Sequence, residues 1–376
     1  MAAALPSDSD WDNIAEITGD DSWTAENMRQ YFVKLENNRH LPPGTSGHGF
    51  DGYLDISLED PEVLKNEPEV RTVLQAAADA SGQTEDVLQL IQRDLNNDDP
   101  NRDQQTGIFG FPFHKTVDGR RVSSRDVIVE TVDAKYPLTV QLNSLVTKVL
   151  FADDNSTAVT GVEYLQGQSV YTGDPRHTAS DTGTVGTAHA RREVIISGGT
   201  FNSPQILKLS GIGPAAELES FDIPVVVDLP GVGANLQDNY ESGYVSHASQ
   251  NFTVDGPACT FGKLPDPCLD LWYNGTGPYT VLAFDALMYQ TQNAAFNERD
   301  LYLWGFAGAS FQGYWPPESV NEIPLAGPNT FDFSMIKMHP QSAAGTVTLR
   351  SADPRDTPEI NFRFFAENED ADLDAM

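Results

Sequence analysis

The chain has 376 residues, of which 39% are hydrophobic and 21% charged, with 30 Gly and 24 Pro. That is room for two domains, or for one large α/β domain with insertions, and enough apolar content to exclude global disorder. Asp and Glu number 55 against 23 Lys and Arg, a net charge of −32, which makes phosphate backbones and anionic lipid surfaces poor partners.

In chain order, Thr24 is placed to cap a helix whose apolar residues Met28, Tyr31, Phe32 and Leu35 share one face. A second helix carries Val70, Val73, Leu74 and Ala77 between Pro68 and Gly82. A third, capped by Thr84, is expected to carry Val87, Leu88, Ile91 and Leu95. From Leu138 to Phe151 the β-branched composition predicts two short strands, and Ala158 to Leu165 a further strand. A Gly/Thr/Asp-rich loop is expected over roughly 171–187, then an apolar strand over 191–197 ending at Gly198-Gly199. Ser203 is placed to cap a helix with Pro204 at its first position and Gly211 as its stop. Pro214 opens a short helix, residues 223–228 read as a strand, and Leu301–Phe306 and Phe331–Met338 are the clearest strands beyond.

Three glycine-rich stretches invite comparison with nucleotide loops. Gly211-Ile-Gly213 follows a helix, and the dinucleotide fingerprint needs a strand ahead of it. Gly231-Val-Gly233 reads as a turn leading from one domain to another. Only Ser197-Gly-Gly-Thr200, between a strand and a helix, would turn backbone N–H groups and a positive helix end toward an anion; the plain alternative is close β-turn-α packing. Cys259 and Cys268, the only cysteines, suit a disulfide closing a short loop in an exported protein, as against two unrelated thiols; no metal-ligand spacing accompanies them. N-x-S/T sequons stand at Asn155, Asn251 and Asn274, yet residues 1–8 show neither a basic n-region nor an apolar h-region.

Residues 199–213, Gly-Thr-Phe-Asn-Ser-Pro-Gln-Ile-Leu-Lys-Leu-Ser-Gly-Ile-Gly, resemble the second signature of the glucose–methanol–choline (GMC) family of FAD-dependent alcohol oxidoreductases. The match continues through Glu193–Gly199 and Leu229–Asp238, with Asn239 where the family usually has His. Ser9-Asp-Trp-Asp, the helix through Met28–Leu35 and the stretch from Val347 to Ile360 also resemble family segments in order, so the likeness covers nearly the whole chain.

The resemblance implies a mixed α/β (α+β) fold. An incomplete FAD-binding domain, a β-meander plus a β-turn-α unit, is expected over 1–50 and 131–240. An antiparallel-sheet substrate domain is expected over 51–130 and 241–346, with 347–376 beginning the return to the first. It implies FAD as cofactor, a small alcohol as substrate, and transfer of the α-carbon hydride to flavin N5 while a base takes the alcohol proton. By motif, Val146 matches the residue whose backbone meets the adenine, and Gly199 and Thr200 the turn that closes on the dinucleotide. The family's first flavin motif is not found ahead of Leu5, and its catalytic His is expected beyond Met376, so no catalytic residue is assigned here. His339 precedes a strand where the family has a non-catalytic stretch, and the other six histidines are read as satisfied or surface residues. Trp304, Phe306, Phe311, Tyr314 and Trp315 are read as pocket walls or, more plainly, sheet core. The expected product is a secreted, glycosylated fungal-type enzyme. This chain is expected to be an inactive fragment that neither holds FAD tightly nor stays free of aggregation. The alternative is a non-catalytic paralogue that binds a ligand or partner through the substrate domain.

Overall fold

The computed structural model describes residues 2–152, 157–253, 257–261, 263–311, 313 and 326–376. Its elements begin with α1 (Asp8–Thr18), α2 (Ala25–Leu35), β1 (Glu36–Asn38), β2 (Leu54–Ile56), α3 (Pro61–Lys65), α4 (Pro68–Ala80), α5 (Val87–Leu90), β3 (Gly107–Gly110) and α6 (Ser124–Asp133). Then come β4 (Ser144–Phe151), β5 (Val159–Gln166), β6 (Thr184–His189), α7 (Gly199–Leu209), β7 (Ile212–Gly213), α8 (Ala215–Ser220) and β8 (Val227–Asp228). The last part holds β9 (Tyr240–His247), α9 (Pro267–Tyr273), β10 (Asp285–Tyr289), β11 (Leu301–Ala307), β12 (Thr330–Lys337), β13 (Thr346–Thr348) and β14 (Glu359–Asn361).

Two compact units result. The first is Met1–Pro137 with Asn239–His339 and Asp374–Met376, and the second is Leu138–Asp238 with Pro340–Leu373. Residues 1–50, expected with 131–240, instead pack with the first unit. They are held there by hydrogen bonds: the Ala3 N–H donates to the Pro112 carbonyl, the Asp8 N–H to Asp103, and Arg102 reaches both the Pro6 carbonyl and the Asp8 carboxylate.

In the first unit the sheet runs β3-β10-β11-β12-β9, every neighbouring pair antiparallel. Alternation along the strands sends Ile108, Leu287 and Phe331 to one face, where Val70, Leu74 and Ala78 of α4 and Val87 and Leu90 of α5 cover them. The other face gathers Phe109, Phe111, Ala286 and Met288 with Tyr302, Trp304 and Phe306. Each fully buried side chain of this kind contributes about 1.5–3 kcal/mol. The third expected helix is cut to Val87–Leu90 and is capped by Asp86, whose carboxylate accepts from the Leu88 N–H, rather than by Thr84. The helix stops there because the Arg93 carbonyl is taken by the Gly110 N–H of β3, yet Ile91 and Leu95 are buried all the same.

In the second unit β4, β5 and β6 form an antiparallel meander. Only one strand forms between Leu138 and Phe151, with Leu142 left 72% exposed ahead of it, and β6 occupies the end of the expected loop. Residues 191–197 form no strand. They find no pairing neighbour among the described residues, and Ile195 is 77% exposed. The helix expected from Ser203 begins at Gly199 instead, with Gly198 as its cap and Pro204 inside it. Of 223–228 only Val227–Asp228 pairs, in parallel with Ile212–Gly213. Among the described residues no helix is long and apolar enough to cross a membrane.

Candidate functional site

Chemistry in the second unit gathers where α7 starts. No side chain caps the helix at Gly198, and Gly199 adopts φ +82° with nothing within 4 Å of where a Cβ would stand. Gly199, Thr200 and Phe201 are all exposed. The N–H groups of a first helical turn have no partner within the helix, so this end presents donors and the positive pole of the dipole to solvent. Beside it lies a cavity of about 460 Å³, walled by Thr200, Ser203, Pro204 and Leu207 of α7, by residues 232–237 and by Val347.

The wall opposite α7 is fixed by backbone. The Val347 N–H donates to the Gly233 carbonyl at 2.8 Å and the Leu236 N–H to the Gly345 carbonyl at 2.9 Å. Gly233 sits at φ +77°, and a Cβ there would come within 2.2 Å of the Val347 oxygen, so only glycine fits. Below it Lys208, 1% exposed, donates to Glu217 at 2.7 and 3.0 Å and to the Val347 carbonyl at 2.7 Å. A buried ammonium therefore ties α7, α8 and β13 together.

Of the three residues singled out from the sequence, Thr200 lines the cavity and Gly199 immediately precedes it. Val146 lies elsewhere in the same unit, half-buried on β4 opposite Tyr164, just before a bulge. Because β4 is an edge strand, Val146 has a strand on one side only. The contribution of 232–237 to the cavity, and the Lys208–Glu217 pair, escaped the sequence reading. The available signal was the second glycine of Gly231-Val-Gly233, which marked a close approach of backbone to backbone.

In the first unit two histidines are held by carboxylates. His48 Nδ1 is 3.0 Å from Glu36 and its Nε2 is 2.9 Å from Asp94, the imidazole being 1% exposed. His339, at φ +53°, has Nε2 3.1 Å from Asp10 and Nδ1 3.9 Å from Glu298. The hydrogen bond to Asp10 raises its pKa, and burial does not cancel this. Trp304 packs edge-on against Phe111 and Phe306, the Phe311 N–H donates to the buried Asp332, and Phe306 lines a cavity in this unit. Tyr314 and Trp315 lie outside the described residues.

A model of the GMC oxidoreductase family matches residues 1–241. The oxygen-dependent choline dehydrogenase of Yersinia pseudotuberculosis is 31% identical over 367 residues, which is 96% of this chain and 56% of that protein. The enzyme of the same name from Burkholderia lata is 32% identical over 364 residues, 95% of this chain and 55% of that protein. This chain thus spans little more than half the length of these two relatives. Among solved structures, an FAD-containing formate oxidase from Aspergillus oryzae matches with TM-score 0.74 and 22% identity, covering 100% of this chain and 62% of that one. A pyridoxine 4-oxidase from Mesorbium loti matches with TM-score 0.71 and 20% identity, covering 100% and 61%.

Proposed function

Since this chain belongs to the GMC oxidoreductase family, we propose that it forms the substrate-handling unit and part of the cofactor unit of an FAD-dependent oxidoreductase acting on the CH–OH group of a small alcohol. The observation that carries this reading is the glycine-led start of α7, open to solvent beside a cavity. These residues fit a phosphate-bearing cofactor. Gly199 leaves free the space that any other side chain would fill, and the first-turn N–H groups and the helix pole favour an anion there.

Gly199 and Thr200 would hold the pyrophosphate, and Val146 would offer its backbone to the adenine. When bound, FAD supplies the two-electron acceptor for alcohol oxidation. The contribution of this chain is to bind and orient. A general base must be open to substrate; both ring nitrogens of the buried His48 are taken by carboxylates, and no base is assigned in this chain, which by itself is proposed to be an inactive part of the enzyme.

Secretion, glycosylation and a place in the fungal secreted branch belong to the same proposal. Cys259 and Cys268 are joined in a disulfide, a bond that persists in oxidising compartments, and the sequon residues Asn251 and Asn274 are exposed. Asn155 lies outside the described residues.

FAD titration of the purified chain, followed by flavin fluorescence, tests the reading. We expect weak but saturable quenching that Gly199→Val weakens further, by about tenfold, with near-ultraviolet circular dichroism confirming that both proteins are folded. A folded chain with no saturable response, or a variant with unchanged affinity, would instead favour the non-catalytic paralogue.

A further inference from the structure

The first unit encloses a cavity of about 710 Å³, within the size range of small-molecule sites, about 300–1,000 Å³. Val63 of α3 and Val70 of α4 form one side, Phe306 comes from β11 and Phe284 stands just ahead of β10. Phe261 and Tyr279 close a third side, their rings 5.3 Å apart.

The polar side-chain groups of this wall are already matched. The Tyr279 hydroxyl donates to Asp266 at 2.7 Å and accepts from the Phe261 N–H at 3.0 Å. Thr280 donates to the Gly277 carbonyl at 2.8 Å. Glu67, the one charged residue among those lining the cavity, is engaged in an interaction of its own. An anion entering here would give up its hydration and meet the Glu67 carboxylate without gaining a counter-charge, whereas a neutral ring would gain apolar burial and edge-to-face contacts.

The third side is covalently fixed. Phe261 lies inside the loop closed by Cys259 and Cys268, and Cys268 is fully buried in α9. Asp266 accepts from the Cys268 N–H at 3.1 Å with one oxygen and from Tyr279 with the other, so loop, helix and ring pair move as one piece.

We propose that this cavity is a binding site for a neutral, ring-sized apolar molecule, and that the disulfide-closed loop is one of its walls. The site requires no flavin, so it stands or falls separately from the cofactor reading.

Calorimetric titration of the folded 376-residue chain with indole and benzoate tests it. The expected result is one saturable indole site, with the anion weaker by about tenfold or more. Ala307→Phe, which fills the cavity, should remove indole binding. Phe261→Ala, which truncates a ring already 37% exposed and is therefore compatible with folding, should weaken it several-fold. Dithiothreitol, which reduces the disulfide to two thiols and becomes a cyclic disulfide itself, should weaken it likewise. Absence of saturable indole binding, equal affinity for benzoate, or indifference to Phe261→Ala would overturn the proposal. Each of these outcomes leaves the FAD titration unaffected.

Discussion

At His48, burial alone would lower the pKa, but hydrogen bonds to Asp94 and Glu36 and their charges outweigh it and raise it from 6.5 to about 9. Both carboxylates pay desolvation in return and still end below their ordinary values, because the imidazolium faces them. A raised histidine contributes stability that is complete below its unfolded pKa and is lost as pH rises through the folded one. The lowered Glu36 and Asp94 contribute stability that is present above their unfolded values and is lost as pH falls. Urea unfolding of the intact chain should therefore show a plateau between roughly pH 5 and 6.5 and a decline toward pH 9. His48→Leu should cost about 3 kcal/mol on the plateau and flatten that decline. An unchanged slope in the variant would remove His48 from the account. None of this was legible beforehand: Glu36 and Asp94 stand 12 and 46 residues from His48 in sequence, and such distances carry no local signal.

Among the elements, α7 shows how a buried ion pair fixes a site. Glu217→Ala leaves the Lys208 ammonium buried with one neutral acceptor, the Val347 carbonyl, and should destabilise the second unit by about 3 kcal/mol. The double change Lys208→Met with Glu217→Leu should cost less than Glu217→Ala, because it removes both desolvation costs and leaves only the Leu349 N–H without its Glu217 acceptor. Denaturant unfolding of both variants checks this, and a double variant as unstable as Glu217→Ala would contradict it. The helices α2 and α4 and the strands β11 and β12 were readable because their apolar periods lie within each segment, although Thr24 stands at the start of α2 without a side-chain cap bond. Residues 191–197 were read as a strand from composition, but a strand is made by its neighbour and none pairs with it among the described residues. At α7 the residues Ser203 and Pro204 mimicked a helix start, while Gly199, free to take positive φ, supplied the real one.

Over the whole molecule, Leu142, Val185 and Ile195 are each 65–77% exposed in the second unit. Apolar exposure favours association where it is contiguous, while a net charge of −32 opposes it. Light scattering of the chain should therefore increase with protein concentration and increase further when salt screens the charge. A monodisperse protein at high salt would contradict this. The GMC fold could be recognised from residues 199–213 and their flanks, whereas the place of residues 1–50 rests on long-range contacts such as Arg102 with Asp8 and the Ala3 N–H with the Pro112 carbonyl. Backbone hydrogen exchange with and without FAD puts the cofactor assignment to its most direct test. The account predicts slowed exchange at residues 199–203 and 232–237 and unchanged exchange at 36–50. Protection confined to other segments, or none at saturating FAD, would contradict it.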